Sequence, residues 1–372
     1  MDISQIDMLV KKHSSPLMIT DCDIIRNNYH TLQKALPNVK LLYAIKPYPH
    51  MTVLKTLYDI GAGFDVATNG EIALLKKSNI PATSCFHTHP IKKDKDIKEA
   101  INYGITQFVV DNIEEISKFK KYAKKIKLSI RVAFSNPTAT IDLSKKFGCD
   151  PTEVVKLIEF ARDNKLHVNG LCFHVGSQSM TSDMYVTAIN KCNDLIAEII
   201  LRGLPAIEIL DIGGGFPVEY DTHVQDIDEF CKPINDALSH IPTNIKIYAE
   251  PGRYIVGTAS ITVATIIGRK VKDDTFHYYI DDGIYDSYSL QFFDSIIPEI
   301  EPIRQQNTGN LLYTSILWGI TCDSTDKIRE MQWPKLNIGD YIIAKNMGAY
   351  TSLATGTDFN MVDRAKHIFI NI

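Results

Sequence analysis

From about Cys22 to Gly257 the chain alternates a short β-branched or apolar run with a longer amphipathic, Lys-rich segment. That rhythm predicts strands joined by helical crossovers, which is how parallel sheets are built. The runs are Lys40–Ile45, Gly63–Val66, Ser84–His87, Gln107–Val110, Lys127–Val132, Gly170–Val175, Ile207–Ile212 and Lys246–Glu250. Eight such strands predict a closed (β/α)8 barrel of the TIM type. Between them, Met51–Ile60, Asn69–Ser78, Ile113–Ile126, Pro151–Asn164 and Thr181–Leu201 carry apolar residues at three- and four-residue spacing and supply the helical layer. The Lys-rich stretch Ile91–Lys98 reads as a solvated helix face.

After about Thr258 the texture changes to shorter runs, SITVATIIGRKV, HYYIDDG, LLYTSILWG, DYIIAKNMGAY and HIFINI, separated by turn residues. These predict an antiparallel β domain, into which Pro16–Thr20 is expected to pair. The expected division is an N-terminal segment 1–21, a barrel 22–257 and a β domain 258–372. A length of 372 residues accommodates both.

A net charge of −4 provides no broad cationic surface, so neither nucleic acid nor an anionic membrane is expected as partner, and a small molecule is favoured. Seven scattered cysteines with no CxxC pair signal neither a disulfide framework nor structural zinc, and a reducing cytoplasm fits. Charges interrupt the N-terminal MDISQIDMLVKKHSSPL where a signal peptide would be apolar, and no run of about 18 apolar residues follows.

In a barrel, functional groups collect at the C-terminal ends of strands. Lys46 follows LLYAI there, where desolvation favours a neutral amine able to form a Schiff base, although a strand-end lysine can also be a plain surface charge. Asp211–Pro217, DIGGGFP, places three glycines after an apolar run, either to let backbone N–H groups approach a phosphate or to make a tight turn. It is not GxGxxG and no GK[ST] follows, so a dinucleotide or Walker site is not indicated. Glu250 and Arg253 in EPGR could hold a pyridinium nitrogen and a phosphate, or pair with each other. His174 and Ser177 end GLCFHVGS on the same rim. In TCDSTD, Cys322 beside acidic residues is a poor thiolate, but it can deliver a proton as a thiol, and Asn346-Met-Gly-Ala-Tyr350 offers a phenol for phosphate contact or packing. His87 and His89 form an HxH with no second ligand cluster, so no metal is expected.

In order, YAIK, GAGFDVATNGEI, FHVGS, DIGGGFP, AEPGR, TCDSTD and NMGAYT resemble the pyridoxal-phosphate-dependent ornithine decarboxylase family, the alanine-racemase-like basic amino acid decarboxylases, from about Pro16 to Ile372. The resemblance implies a (β/α)8 barrel with a C-terminal β-sandwich-like domain, a homodimer with shared active sites, and pyridoxal 5′-phosphate as cofactor. It further implies that Lys46 carries the cofactor, that Glu250 faces the pyridine nitrogen, and that His174 stacks on the ring. Gly213, Gly214, Gly215, Gly252, Ser177, Arg253 and Tyr350 would surround the phosphate, while Asp65, Glu71 and Arg131 would order the site. From the partner subunit would come Cys322, to protonate the product carbanion, and Asp323, which with Asp294, beside Phe293, would bind the substrate's distal cation.

The family's usual Gly-Pro-Thr-Cys-Asp-Gly stands here as Gly319-Ile-Thr-Cys-Asp-Ser324, the common tyrosine before the specificity aspartate is Phe293, and Lys46 continues as PYPH. The expected reaction is L-ornithine to putrescine, a step of polyamine synthesis. Lysine or arginine decarboxylation, a non-catalytic relative that binds a protein partner, and a racemase on the same scaffold are the alternatives.

Overall fold

The computed structural model describes residues 3–136, 144–303 and 311–372. The chain divides into two compact units. One comprises Arg26–Pro217 and Val224–Ile255; the other comprises Met1–Ile25, Val218–His223 and Val256–Ile372.

The first unit is a closed parallel barrel of strands Val39–Ala44, Gly63–Val66, Cys85–His87, Gln107–Val110, Lys127–Arg131, Val168–Cys172, Ile209–Asp211 and Lys246–Ala249. The ring closes where Val39 pairs with Ile247. Gly63–Val66, Gln107–Val110, Val168–Cys172 and Ile209–Asp211 are buried at every position, so buried and exposed residues do not alternate along them. The outer helices bury one stripe each, as Val154–Asp163 does with Val154, Val155, Leu157, Ile158 and Ala161.

Two details depart from the expected pattern. The helix after Asn112 ends at Lys118 and continues only as a 3-10 turn over Lys120–Tyr122, because nothing between Phe119 and Ile126 is fully buried. The stretch from Ile91 is not wholly a solvated face either. Lys92 is buried, its ammonium donating to the carbonyls of His89, Pro90 and Val109 at 2.7–3.0 Å and lying 3.3 Å from Glu115. The helix proper is Asp94–Tyr103.

The second unit is built on an eight-stranded sheet. Leu17–Asp21 pairs antiparallel with Ser260–Lys272 and parallel with Lys366–Ile370. Helix Ile3–His13 lays Ile6 and Val10 against Leu17, Ile19, Val263, Tyr341 and Ile343. Most pairings are antiparallel, as expected, but Thr275–Ile280 runs parallel to Leu312–Trp318. A parallel neighbour needs a connection of about a dozen residues or more, which the chain between Ile280 and Leu312 provides.

Candidate active site

Lys46 lies just beyond strand Val39–Ala44, and its Nζ is 3.1 Å from Oδ2 of Asp65 on the neighbouring strand. Asp65 is buried, whereas the lysine remains partly open, so the amine is held by charge and left reachable. Glu71 is committed locally. It closes a capping box on helix Asn69–Lys77, its Oε2 accepting from the backbone N–H groups of Ala67 at 2.5 Å and Thr68 at 3.2 Å. Burial raises its pKa, the Asp65 charge adds to the rise, and Lys46 opposes it.

His174 follows strand Val168–Cys172. Its Nδ1 accepts from the Gly176 N–H at 3.0 Å, so a neutral ring carries its proton on Nε2. Burial, then the Arg131 and Lys46 charges, drive its pKa well below the ordinary value. A neutral imidazole suits a face that stacks on an aromatic ring. Arg131 ends the adjacent strand, with its guanidinium 5.5 Å from the Phe147 ring centre.

The glycine run is enforced by contact with its neighbours. Gly213 has φ +69°, and a Cβ there would meet the Phe173 carbonyl oxygen at 2.3 Å. A Cβ on Gly214 would meet the Glu250 carbonyl oxygen at 2.4 Å, and one on Gly215 the Gly176 carbonyl oxygen at 2.2 Å. Tyr185 secures the turn by donating to the Gly214 carbonyl at 2.8 Å. Beside it the buried Arg253 donates to the Ser177 hydroxyl at 3.0 Å, and Gly252 is packed so closely on Pro47 that a Cβ would lie 2.7 Å from its ring. A guanidinium, a hydroxyl and a side-chain-free turn together fit a bound phosphate.

Glu250 follows strand Lys246–Ala249 and is hydrogen-bonded to the buried Asp211, whose Oδ1 accepts from the Gly213 N–H at 2.9 Å. Burial pushes the Glu250 carboxyl well above the usual carboxylate range, and the Asp211 and Asp65 charges push it further. Burial likewise lifts Asp211 to about 6. Two carboxyls in contact in a low dielectric share a proton, and a cationic ring nitrogen placed against Glu250 would be the counter-charge that lets the second carboxylate form. Asp211 heads DIGGGFP, which was its only sequence signal; Tyr185 had none.

The remaining expected residues belong to the second unit. Cys322 is exposed, with its backbone N–H donating to Asn360 Oδ1 at 2.9 Å. Asp323 is held by the Thr325 N–H at 2.9 Å and by the Tyr285 hydroxyl, which together lower its pKa. The buried Asp326 ties the loop down by accepting from Thr321 N at 3.0 Å and Ile284 N at 2.9 Å. Asp294 closes the short helix Leu290–Asp294 and is buried, whereas Phe293 is half exposed. Tyr350 takes a left-handed conformation, φ +58°. In the barrel unit, His87 is buried and His89 packs edge-on to Phe147 at 5.1 Å. No cluster of three or more His, Cys, Asp or Glu among the described residues could hold a metal ion, and no described helix is long and apolar enough to cross a membrane.

Residues 22–257 match the family described as pyridoxal-dependent decarboxylase, pyridoxal binding domain. A lysine/ornithine decarboxylase of Selenomonas ruminantium is 32% identical over 358 residues, covering 96% of this chain and 90% of the relative. Antizyme inhibitor 2 of Xenopus laevis is 35% identical over 354 residues, covering 91% and 77%. Among solved structures, the lysine/ornithine decarboxylase of Vibrio vulnificus complexed with cadaverine superposes with a TM-score of 0.94 at 46% identity, covering 100% of this chain and 98% of that one. The same enzyme complexed with putrescine gives 0.93 at 45%, covering 99% and 98%. With the fold, the strand-end lysine, the glycine cradle and the buried carboxyl pair in place, these matches show that the chain belongs to the pyridoxal-phosphate-dependent decarboxylases of basic amino acids.

Proposed function

We propose that the chain decarboxylates L-ornithine to putrescine and accepts L-lysine as a second substrate, yielding cadaverine. One observation carries the chemical part of this reading. Lys46 with Asp65, His174, the Ser177–Arg253 pair, the glycine run and the Asp211–Glu250 pair all stand at C-terminal strand ends of one barrel. The substrate part is supported by relatives whose names cover lysine and ornithine, and by the two aspartates of the second unit.

Bound pyridoxal phosphate supplies an electron sink for the electron pair left at Cα when CO2 departs. Lys46 would provide the amine that carries it, and Glu250, coupled to Asp211, would supply the carboxylate that pairs with its protonated ring nitrogen. Ser177, Arg253, Gly213, Gly214, Gly215 and Gly252 would hold its phosphate, and the neutral imidazole of His174 would supply a face for the ring. Cys322, contributed by the partner subunit of a homodimer, delivers a proton to Cα. Asp294, with Asp323 contributed like Cys322 by the partner subunit, receives the substrate's distal ammonium, which disfavours neutral side chains because the aspartates would be left unpaired. In this reading 22–257 is the cofactor-binding barrel, 258–372 the β domain and 1–21 a segment that pairs with it, in a cytoplasmic enzyme of polyamine synthesis.

Comparing kcat/KM for CO2 release from L-ornithine, L-lysine and L-arginine tests the substrate reading. Ornithine should lead, with lysine within about one to two orders of magnitude, since one methylene is worth about 1–3 kcal/mol. Arginine leading would overturn it.

A further inference from the structure

Between the two histidines of HTHP sits a hydroxyl that the catalytic reading leaves unused. Thr88 directly follows strand Cys85–His87, and its N–H donates to the Val66 carbonyl at 3.0 Å, extending the ladder by one residue beyond the strand. This fixes the residue opposite the end of Gly63–Val66, where its Oγ1 donates to Oδ1 of Asp65. The other carboxylate oxygen, Oδ2, is the one that meets Lys46 Nζ at 3.1 Å. Thr88 and Asp65 are both buried.

We propose that Thr88 is a positioning residue that sets the Asp65 carboxylate against Lys46. A carboxylate turns about its Cβ–Cγ bond, and one partner on one oxygen leaves that rotation loose. Donors on both oxygens fix the plane of the group. The orientation matters because the surroundings disfavour negative charge. Asp211, Glu250 and Glu71 all feel the Asp65 charge, and Arg131 and Lys46 are the cations acting on the same rim. Without the hydroxyl, Oδ1 would face a buried, acid-rich wall with no side-chain donor from residue 88, and the carboxylate would turn. Lys46 then loses part of the charge that favours a protonated nitrogen at its end. Thr88 touches neither substrate nor cofactor in this account; it acts through Asp65.

The inference rests on the reading of Lys46 as the residue that carries the cofactor, and the test separates the two. Purified holoenzyme is titrated with pH while the visible band of the lysine-bound cofactor is followed, in native protein, Lys46→Ala, Thr88→Val and Thr88→Ser. Valine keeps the shape and removes the donor, and serine keeps the donor. The expected result is a midpoint shifted to lower pH by about one pH unit in Thr88→Val, the size of one charged hydrogen bond, and a near-native midpoint in Thr88→Ser. A native midpoint in Thr88→Val overturns the positioning role, even if that variant melts at lower temperature, because a merely structural hydroxyl would affect melting alone. A band that survives in Lys46→Ala overturns the reading of the lysine and the inference with it. Should Thr88→Val not fold, Thr88→Ala against Thr88→Ser decides by the same criterion.

Discussion

Asp211 and Glu250 are costly to bury together, and the cost has a direction in pH. The Asp211 carboxyl is lifted from an ordinary 3.8 to about 6 by burial, and Glu250 stands well above the usual range for the same first reason. Groups with raised folded-state values stabilise the fold fully below their unfolded values and lose that contribution as pH rises through the folded ones. The cofactor-free chain should therefore lose stability as pH climbs from about 4 through about 6. Asp211→Asn keeps an acceptor for the Gly213 N–H and a donor toward Glu250 but cannot ionise. Melting curves of the cofactor-free variant should show a flatter pH dependence, with a melting temperature a few degrees above native above about pH 7. An unchanged slope would mean that the pair does not share a proton. Lys46 and Glu250 were legible as chemistry because each ends an apolar run, and Arg253 because it follows Glu250 by three residues. Asp211, Tyr185 and Thr88 were not, because their roles depend on which strand end faces which, and one chain read in order does not display that.

The glycine run after strand Ile209–Asp211 shows how an element fixes a site through what it omits. At Gly214 the backbone φ gives no reason for glycine, yet a Cβ would sit 2.4 Å from the Glu250 carbonyl oxygen and 3.3 Å from His174 Nε2. Gly214→Ala should therefore separate two strand ends, costing about 1–3 kcal/mol of stability and weakening cofactor retention at least about tenfold, since roughly 1.4 kcal/mol lost from cofactor binding is already that factor. Visible absorbance remaining after dialysis measures the retention; native retention would contradict the role of the cradle. Strands were the most legible elements because burial on both faces writes many of them as short, mostly apolar runs without alternation. The helix over 113–126 was overextended because a run of lysines fits a helical pattern without supplying a face to bury, and buried Lys92 was hidden in the same kind of composition.

At the scale of the whole molecule, barrel strands in chain order close a ring of neighbours, so local pattern alone sufficed to predict the architecture. The second unit draws on chain ends and interior alike. Leu17–Asp21 sits between Ser260–Lys272 and Lys366–Ile370, and Val218–His223 joins it from the middle of the sequence. Such long-range pairing leaves little local trace, which is why helix Ile3–His13 and the parallel neighbours were not foreseen. The chemistry expected of Cys322, Asp323 and Asp294 belongs to this unit, and their exposure and anchoring follow from loop contacts that motif spacing does not encode.

Antizyme inhibitor 2 stands among the relatives beside the decarboxylases, so turnover itself is the decisive quantity. CO2 release and diamine formation from L-ornithine, measured side by side for the native chain and Lys46→Ala with pyridoxal phosphate present, decide whether this chain is a decarboxylase that works through Lys46. CO2 and putrescine should form in equal amounts with the native protein, and Lys46→Ala should lose at least about a thousandfold in rate, or about 4 kcal/mol of barrier. Cofactor bound with no turnover, or turnover indifferent to the lysine, would contradict that reading.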